Sequence, residues 1–235
     1  MSYKRILLKI SGEQLSGKFE NGIDPEVGGW LADEVKKATS GGVQLVIVVG
    51  GGNMVRGAQT AGHGIQRVTA DHMGMLATMI NALALTDIFE AHGVKTRCLS
   101  SIFAQQVAEP FVHRLANKHL EKGRVVVVAG GSGRPYVTTD TAAVILGLEL
   151  NCDVVLKATK VDGVYDKDPT HHADAVKIQD LNYQQAVEND SIKIMDKAAL
   201  GLAMEQKMPL IIYDSMTPDN LAKIASGENI GTKIS

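Results

Sequence analysis

Short apolar runs rich in β-branched residues recur along the chain, at 6–10, 43–49, 94–99, 124–129, 154–156 and 210–213. Most are apolar at consecutive positions and do not alternate. A strand with one wet face alternates, whereas a strand covered on both faces does not, so these runs predict a parallel sheet buried between layers. Helical stretches fall between them, at 25–38, 69–92, 139–150 and 218–225. Asp24 precedes the first as an N-cap, with Pro25 at the first helical position. Gly93 stops the second. Strands alternating with helices predict an α/β fold, a three-layer sandwich around a largely parallel central sheet. At 235 residues the expectation is a single domain over 1–235. Ligands of such sheets gather at the carboxyl ends of the strands.

Composition narrows this picture. Aromatic residues are only 4% of the chain, so Val, Ile, Leu, Ala and Met must build the core. The formal net charge of -2, without a basic stripe, gives no nucleic-acid footprint. Cys98 and Cys152 adjoin apolar runs and read as small buried hydrophobes, not a disulfide or metal pair. The first apolar run is too short for a signal peptide, and no stretch of about 18 uninterrupted apolar residues predicts a membrane span. The expected setting is a reducing cytoplasm. His171 and His172 lack a soft ligand nearby and read as part of an exposed loop at 167–174. Met73, Met75 and Met79 read as core or a subunit contact. Trp30 is expected to pack against a neighbouring element, and His72 to sit at a helix start.

Glycine clusters at the predicted carboxyl edge. Ser11-Gly12 follows the first run, Gly50-Gly51-Gly52-Asn53 the second, and Gly130-Gly131-Ser132-Gly133 the run ending at Ala129. One such cluster is an ordinary tight turn. Three at one edge suit several phosphates, because glycine lets backbone N–H groups approach an anion. Two familiar phosphate motifs fail here. Gly12 to Lys18 has P-loop spacing, but Phe19 stands where Ser or Thr should hold Mg²⁺. The third glycine of a dinucleotide fingerprint falls on Val55 or Tyr136. A kinase lacking a P-loop still has to neutralise the transferring phosphoryl group. Lys9, at the end of the first run, is placed for that. Arg56 carries the planar fork that suits a phosphate dianion. Asp71 opens the long helix, where it either caps the helix or accepts from sugar hydroxyls.

Five segments occur in order: Lys9-Ile10-Ser11-Gly12-Glu13; Gly50-Gly51-Gly52-Asn53; Asp71-His72-Met73-Gly74-Met75-Leu76-Ala77-Thr78; Gly133-x-Pro135-x-x-Thr138-Thr139-Asp140; and Lys157-Ala158-Thr159-Lys160-Val161-Asp162-Gly163-Val164-Tyr165. Together they closely resemble the bacterial uridylate kinases, a branch of the amino acid kinase family. The resemblance runs from Tyr3 to near the C-terminus. It implies transfer of the ATP γ-phosphate to UMP, with Mg²⁺ carried on the ATP phosphates and no confident direct protein ligand for the metal. It implies that Lys9, Ile10, Ser11, Gly12 and Gly52 hold the ATP phosphates, that Arg56 reaches the phosphates between donor and acceptor, and that Thr159, Tyr165 and Asp168 line the adenine nucleotide site. The acceptor UMP falls to Gly51, Asp71, Ser132, Gly133, Arg134, Pro135, Tyr136, Val137, Thr138 and Thr139. Asp140 and Asp196 orient the catalytic lysine and help place Mg²⁺, and Lys157 adds charge stabilisation.

The same resemblance implies a homohexamer, activation by GTP and inhibition by UTP. Two departures stand out. The segment 17–22 has the length of the family's GTP-sensitive loop but not its usual residues, and Arg134 stands where relatives commonly carry Asn. Two alternatives stay open at this level. One is a catalytically inactive nucleotide-binding or storage protein of the same fold. The other is a relative with a carboxylate or carbamate acceptor, against which the Asp71 segment and Thr138-Thr139-Asp140 argue.

Overall fold

The computed structural model describes residues 2–55, 64–167, 171–172, 174–188 and 195–235. The apolar runs become β1 (Arg5–Ile10), β2 (Gln44–Val49), β3 (Thr96–Ser100), β5 (Val125–Ala129), β6 (Val154–Thr159) and β10 (Leu210–Asp214). Shorter strands are β4 (Glu109–Pro110), β7 (Val164–Tyr165), β8 (Lys177–Ile178), β9 (Asp180–Leu181) and β11 (Thr232–Ile234). The helices are α1 (Gly12–Leu15), α2 (Pro25–Thr39), α3 (Arg67–Ala91), α4 (His113–Glu121), α5 (Thr139–Glu149), α6 (Tyr183–Glu188), α7 (Lys197–Gln206) and α8 (Asn220–Ser226).

Among the described residues, nine strands form one sheet in the order β4-β3-β5-β2-β1-β6-β10-β11-β9. All neighbours pair parallel except β10 with β11. β7 and β8 make a separate antiparallel ribbon. The consecutive apolar positions explain the layering. Ile6, Leu8 and Ile10 point into one core with Leu31, Val35, Leu85, Phe89 and Ile224, which come from α2, α3 and α8. Leu7 points into the other with Leu120, Val144, Leu146 and Leu200, from α4, α5 and α7. Residues one apart on a strand therefore feed opposite layers. The three-layer sandwich with a largely parallel sheet is what the runs predicted.

Several boundaries differ from the sequence expectation. The long helix begins at Arg67, so Asp71 and His72 lie in its second turn and not at its start. The last predicted helix begins two residues later, because Asp219 takes a left-handed conformation (φ 67) and its N–H donates to buried Glu34. α4 and α7 were not singled out by periodicity. α3 is long and apolar enough by length and composition to cross a membrane, which the count of uninterrupted apolar residues missed. Here it packs on β3, β5 and α2, with Ala82, Leu85 and Phe89 fully buried. Cys98 and Cys152 are buried free thiols, and burial pushes their pKa values up to about 11 and about 12. Trp30 packs against the first core. Met75 and Met79 are buried, and Met73 is half-buried. His171 and His172 are exposed; most of the remaining predicted loop lies outside the described residues.

Asp24 caps α2 as expected, accepting from Glu26 N at 3.0 Å, and it also accepts from Lys18 N at 3.2 Å. It is 3% exposed, so both N–H groups would be left without a partner on its removal. Asp24→Ala is expected to lower stability by about 1–2 kcal/mol, read as a lower urea midpoint at unchanged slope.

Candidate functional site

The sheet order β5-β2-β1-β6 brings the ends of four parallel strands to one edge, and each carries one of the segments singled out in the sequence. Lys9 on β1 and Lys157 on β6 are register partners on adjacent strands. Each is followed by its strand end. Asp140 lies in the first turn of α5 and reaches between them. Its Oδ1 is 2.7 Å from Lys9 Nζ and its Oδ2 accepts from Lys157 Nζ at 2.8 Å. The side chains of Lys9 and Asp140 are only 9% and 13% exposed. The Oδ1 contact is an ion pair by distance, not a directed hydrogen bond. Burial works to raise the Asp140 pKa, but the two ammonium groups outweigh it and hold the carboxyl below its ordinary range. Burial pushes Lys157 the other way, downward, and Asp140 only partly offsets this.

Asp196 supports the same corner from α7. It caps that helix by accepting from Ala199 N at 2.9 Å. It also accepts from Thr141 Oγ1 at 2.9 Å and from Thr138 Oγ1. Thr138 in turn caps α5, accepting from Thr141 N at 3.2 Å. One carboxylate thus ties together the starts of two helices, and Asp140 sits on the first of them. Asp196 acts on the lysines through this scaffold, and its charge favours protonated Lys157.

The glycine loops pack directly on one another. A Cβ on Gly12 would lie 2.6 Å from Asn53 Oδ1 and 2.7 Å from Gly50 O. One on Gly51 would lie 2.8 Å from Ala77 Cβ and 2.9 Å from Gly74 O on α3. No side chain fits at either place. α3 also fixes the loops through buried polar groups that carry no charge. Asn81, fully buried, donates to Gly50 O at 2.7 Å and exchanges hydrogen bonds with Asn53 at 2.7 and 3.0 Å. Asn53 also donates to Gly22 O at 2.6 Å. Thr78 Oγ1 accepts from Gly130 N at 2.7 Å. Sequence reasoning gave no role to Asn81 or Thr78. Their signal was a polar residue inside an otherwise apolar stretch of helix, where a buried polar group needs a partner.

Between the second and third glycine loops and α3 lies an open cleft of about 210 Å³. Gly51, Gly52, Asp71, Val137, Thr138 and Thr139 line it, as do Val55, Arg67, Gly74, Thr78, Gly130 and Gly131. Asp71 accepts from Arg67 Nε at 2.9 and 3.0 Å and from Tyr136 N at 2.8 Å. Ser132, Gly133, Arg134, Pro135 and Tyr136 form the outer turn of the loop, away from the cleft lining. Gly133 N donates to Gly130 O at 2.8 Å and closes that turn. Ser132 Oγ accepts from Arg134 N at 3.3 Å; the Arg134 side chain is exposed, with no ion pair among the described residues.

On the other side of Lys9, Ile10 is buried and Ser11 precedes the four-residue α1 without a side-chain capping bond. Thr159 ends β6, its hydroxyl 2.7 Å from Val161 O and 3.0 Å from Tyr213 O. Tyr165 lies on the β7–β8 ribbon and donates to Asp162 Oδ1 at 2.7 Å. Arg56 and Asp168 lie outside the described residues.

Asp140 removed, two partly buried ammonium groups would face each other without a counter-charge. Asp140→Ala is expected to cost about 3 kcal/mol of stability in chemical denaturation at neutral pH. The wild type carries a matching pH dependence. The folded-state pKa lies below the ordinary value of about 3.8, so the contribution is whole above that value and is lost as pH falls through the lower folded one. The stability gap between wild type and variant is expected to start narrowing below about pH 4 and to keep narrowing as pH falls further; a gap unchanged at about pH 3 would contradict the pairing.

The profile of the amino acid kinase family matches residues 4–214. A uridylate kinase from Xanthomonas oryzae pv. oryzae is 50% identical over 234 residues, covering all of this chain and 97% of the relative. One from Xanthomonas euvesicatoria pv. vesicatoria matches to the same extent. The crystal structure of a UMP kinase from Bacillus anthracis superposes with a TM-score of 0.95 at 37% identity, covering all of this chain and 97% of that one. The chain belongs to the amino acid kinase family, on its uridylate kinase branch.

Proposed function

We infer that this protein transfers the γ-phosphate of ATP to UMP, giving ADP and UDP for pyrimidine nucleotide synthesis. The observation that carries the reading is the Lys9–Asp140–Lys157 cluster beside a glycine-walled cleft, in a chain half identical over its length to uridylate kinases. In this reading one domain over 1–235 holds both substrates. Ile10, Ser11, Gly12 and Gly52 present backbone N–H groups to the ATP phosphates, with Thr159, Tyr165 and Asp168 beside the adenine nucleotide. Gly51, Asp71 and the loop 132–139 take UMP, Asp71 on the ribose. Arg56 spans the phosphates between them.

The acceptor is a phosphate oxygen largely ionised at pH 7, with a second pKa of about 6, so no general base is needed. What remains is alignment and charge. Lys9 stabilises the transferring group, and Asp140 holds Lys9 and Lys157 side by side against their repulsion. Asp196 positions Asp140 through the start of α5. The donor set fits a Mg²⁺ carried on ATP: Asp140 Oδ2 and both oxygens of Asp196 are engaged by protein donors, while the buried Asp140 Oδ1 is held beside Lys9 Nζ by charge alone. Bound there, the ion would neutralise β- and γ-phosphate charge, and Mg²⁺ readily accepts such mixed phosphate and water shells.

The quaternary and regulatory reading follows the family: a cytoplasmic homohexamer, activated by GTP and inhibited by UTP. Supporting it, Leu76 and Ile80 lie exposed one turn apart on α3, and Phe103 is 86% exposed. Apolar surface of this kind is what subunit contacts cover. Light scattering is expected to give six chains; a monomer at micromolar concentration would remove that part.

An acceptor panel tests the activity. UMP is expected to support ADP formation, while CMP, aspartate and acetylglutamate are not. Lys9→Ala is expected to lower kcat by about 10² or more, the scale of losing one preorganised charge. Equal turnover of CMP would sink the acceptor assignment, and an unaffected Lys9→Ala would sink the role of the lysine.

A further inference from the structure

Arg67 is the one cation among the described residues lining the cleft, and neither composition nor motif spacing pointed to it. Helix energetics do not account for its placement. It is the first residue of α3, where the helix dipole favours negative charge. Its partner Asp71 lies four residues on, the less favourable order for such a pair. The guanidinium also lies 5.1 Å from the ring centroid of Tyr136. Tyr136 has φ 66, a strained backbone for so large a side chain, and its N–H donates to Asp71 Oδ2. Strain of this kind persists where the surroundings over-determine it, and it collects at ligand sites.

Lone-pair counting says what the three residues achieve together. A carboxylate offers about four acceptor positions. Arg67 Nε bridges both oxygens of Asp71, and Tyr136 N takes a second position on Oδ2. Among the described residues one position remains, on Oδ1, and these partners keep the carboxylate from rotating to offer another. We propose that Arg67 is a positioning residue that sets acceptor specificity: with the Tyr136 amide it holds Asp71 so that its remaining acceptor meets the 2′-hydroxyl of a ribonucleotide and finds nothing on a 2′-deoxyribonucleotide. This rests on the reading that Asp71 takes the acceptor ribose. It adds that recognition of the sugar depends on a clamp outside the sugar contact itself.

The test measures kcat/KM for UMP and dUMP, and KM for ATP, in the wild type, Arg67→Gln, Arg67→Met and Asp71→Asn. The wild type should favour UMP by about tenfold or more, the scale of one hydrogen bond to a charged group. Both Arg67 variants should shrink that preference at least about fivefold, while KM for ATP stays within about twofold. Arg67→Met keeps an aliphatic stem over the Tyr136 ring, and the Arg67 side chain is 44% exposed, so folding should survive in both. A structural role alone would lower UMP and dUMP turnover together and leave the preference intact. If Asp71→Asn loses the preference and the Arg67 variants keep it, the clamp is overturned and the Asp71 reading stands. If Asp71→Asn keeps it, or the wild type shows none, both fall.

Discussion

Two lysines sit in register on neighbouring central strands, and a single carboxylate holds them together. Placing like charges side by side at the buried edge of a sheet is costly, because desolvation penalises each and each penalises the other. Asp140 removes most of that cost and leaves one net positive charge. It can do so only because the start of α5 delivers it between β1 and β6, and α5 packs on both strands. The sheet order, the caps at Thr138 and Asp196, and the apolar second core all serve to put that carboxylate at this place.

The long helix α3 plays the corresponding part for the neutral half of the site. Its Gly74 and Ala77 let the Gly51 backbone come close, Asn81 holds Gly50, and Thr78 holds Gly130. The two glycine loops therefore keep fixed positions although glycine itself imposes none. Backbone N–H groups aimed at an anion are worth most when they need no reordering as it arrives. A buried amide pair such as Asn53–Asn81 gives that rigidity, since every polar atom left without its partner would carry a penalty of about 1–3 kcal/mol.

The layering and the glycine loops at the carboxyl edge were legible from the chain, because a buried parallel sheet leaves consecutive apolar residues and close-packed turns leave glycine. Lys9 was legible because a charge within an apolar run, one residue from its end, stands out and needs a partner at that edge. The Lys157 and Asp196 contributions came only through family resemblance, since pairing across β1 and β6 joins residues 148 apart in number. The start of α3 was misplaced because Gln66 and Arg67 carry no capping signature, and no side-chain cap forms there. That shift moved Asp71 from a cap to the second turn, where its partners are Arg67 and a distant loop amide. The strained Tyr136 was invisible too, since left-handed backbone is expected of glycine and not of tyrosine. Short strands such as β7 and β11 are set by pairing with partners, which local patterning does not encode.

Among the described residues, each charged group of the site has a protein partner, and one net positive charge is left over at the two lysines. Asp140 answers Lys9 and Lys157, Arg67 answers Asp71, and Asp196 answers the hydroxyls and amide at two helix starts. In the proposed reading, an arriving nucleotide would meet that one excess charge and otherwise exchange partners. In the same reading, a phosphate dianion offered to Lys9 would compete with a carboxylate that already holds it, so the gain on binding would be smaller than for an unpaired lysine. The gain is larger where charge builds up during transfer, beyond what Asp140 neutralises. A prepaired cluster in that role would weaken ground-state binding more than stabilisation of the transferring group, and such a difference is what raises a rate.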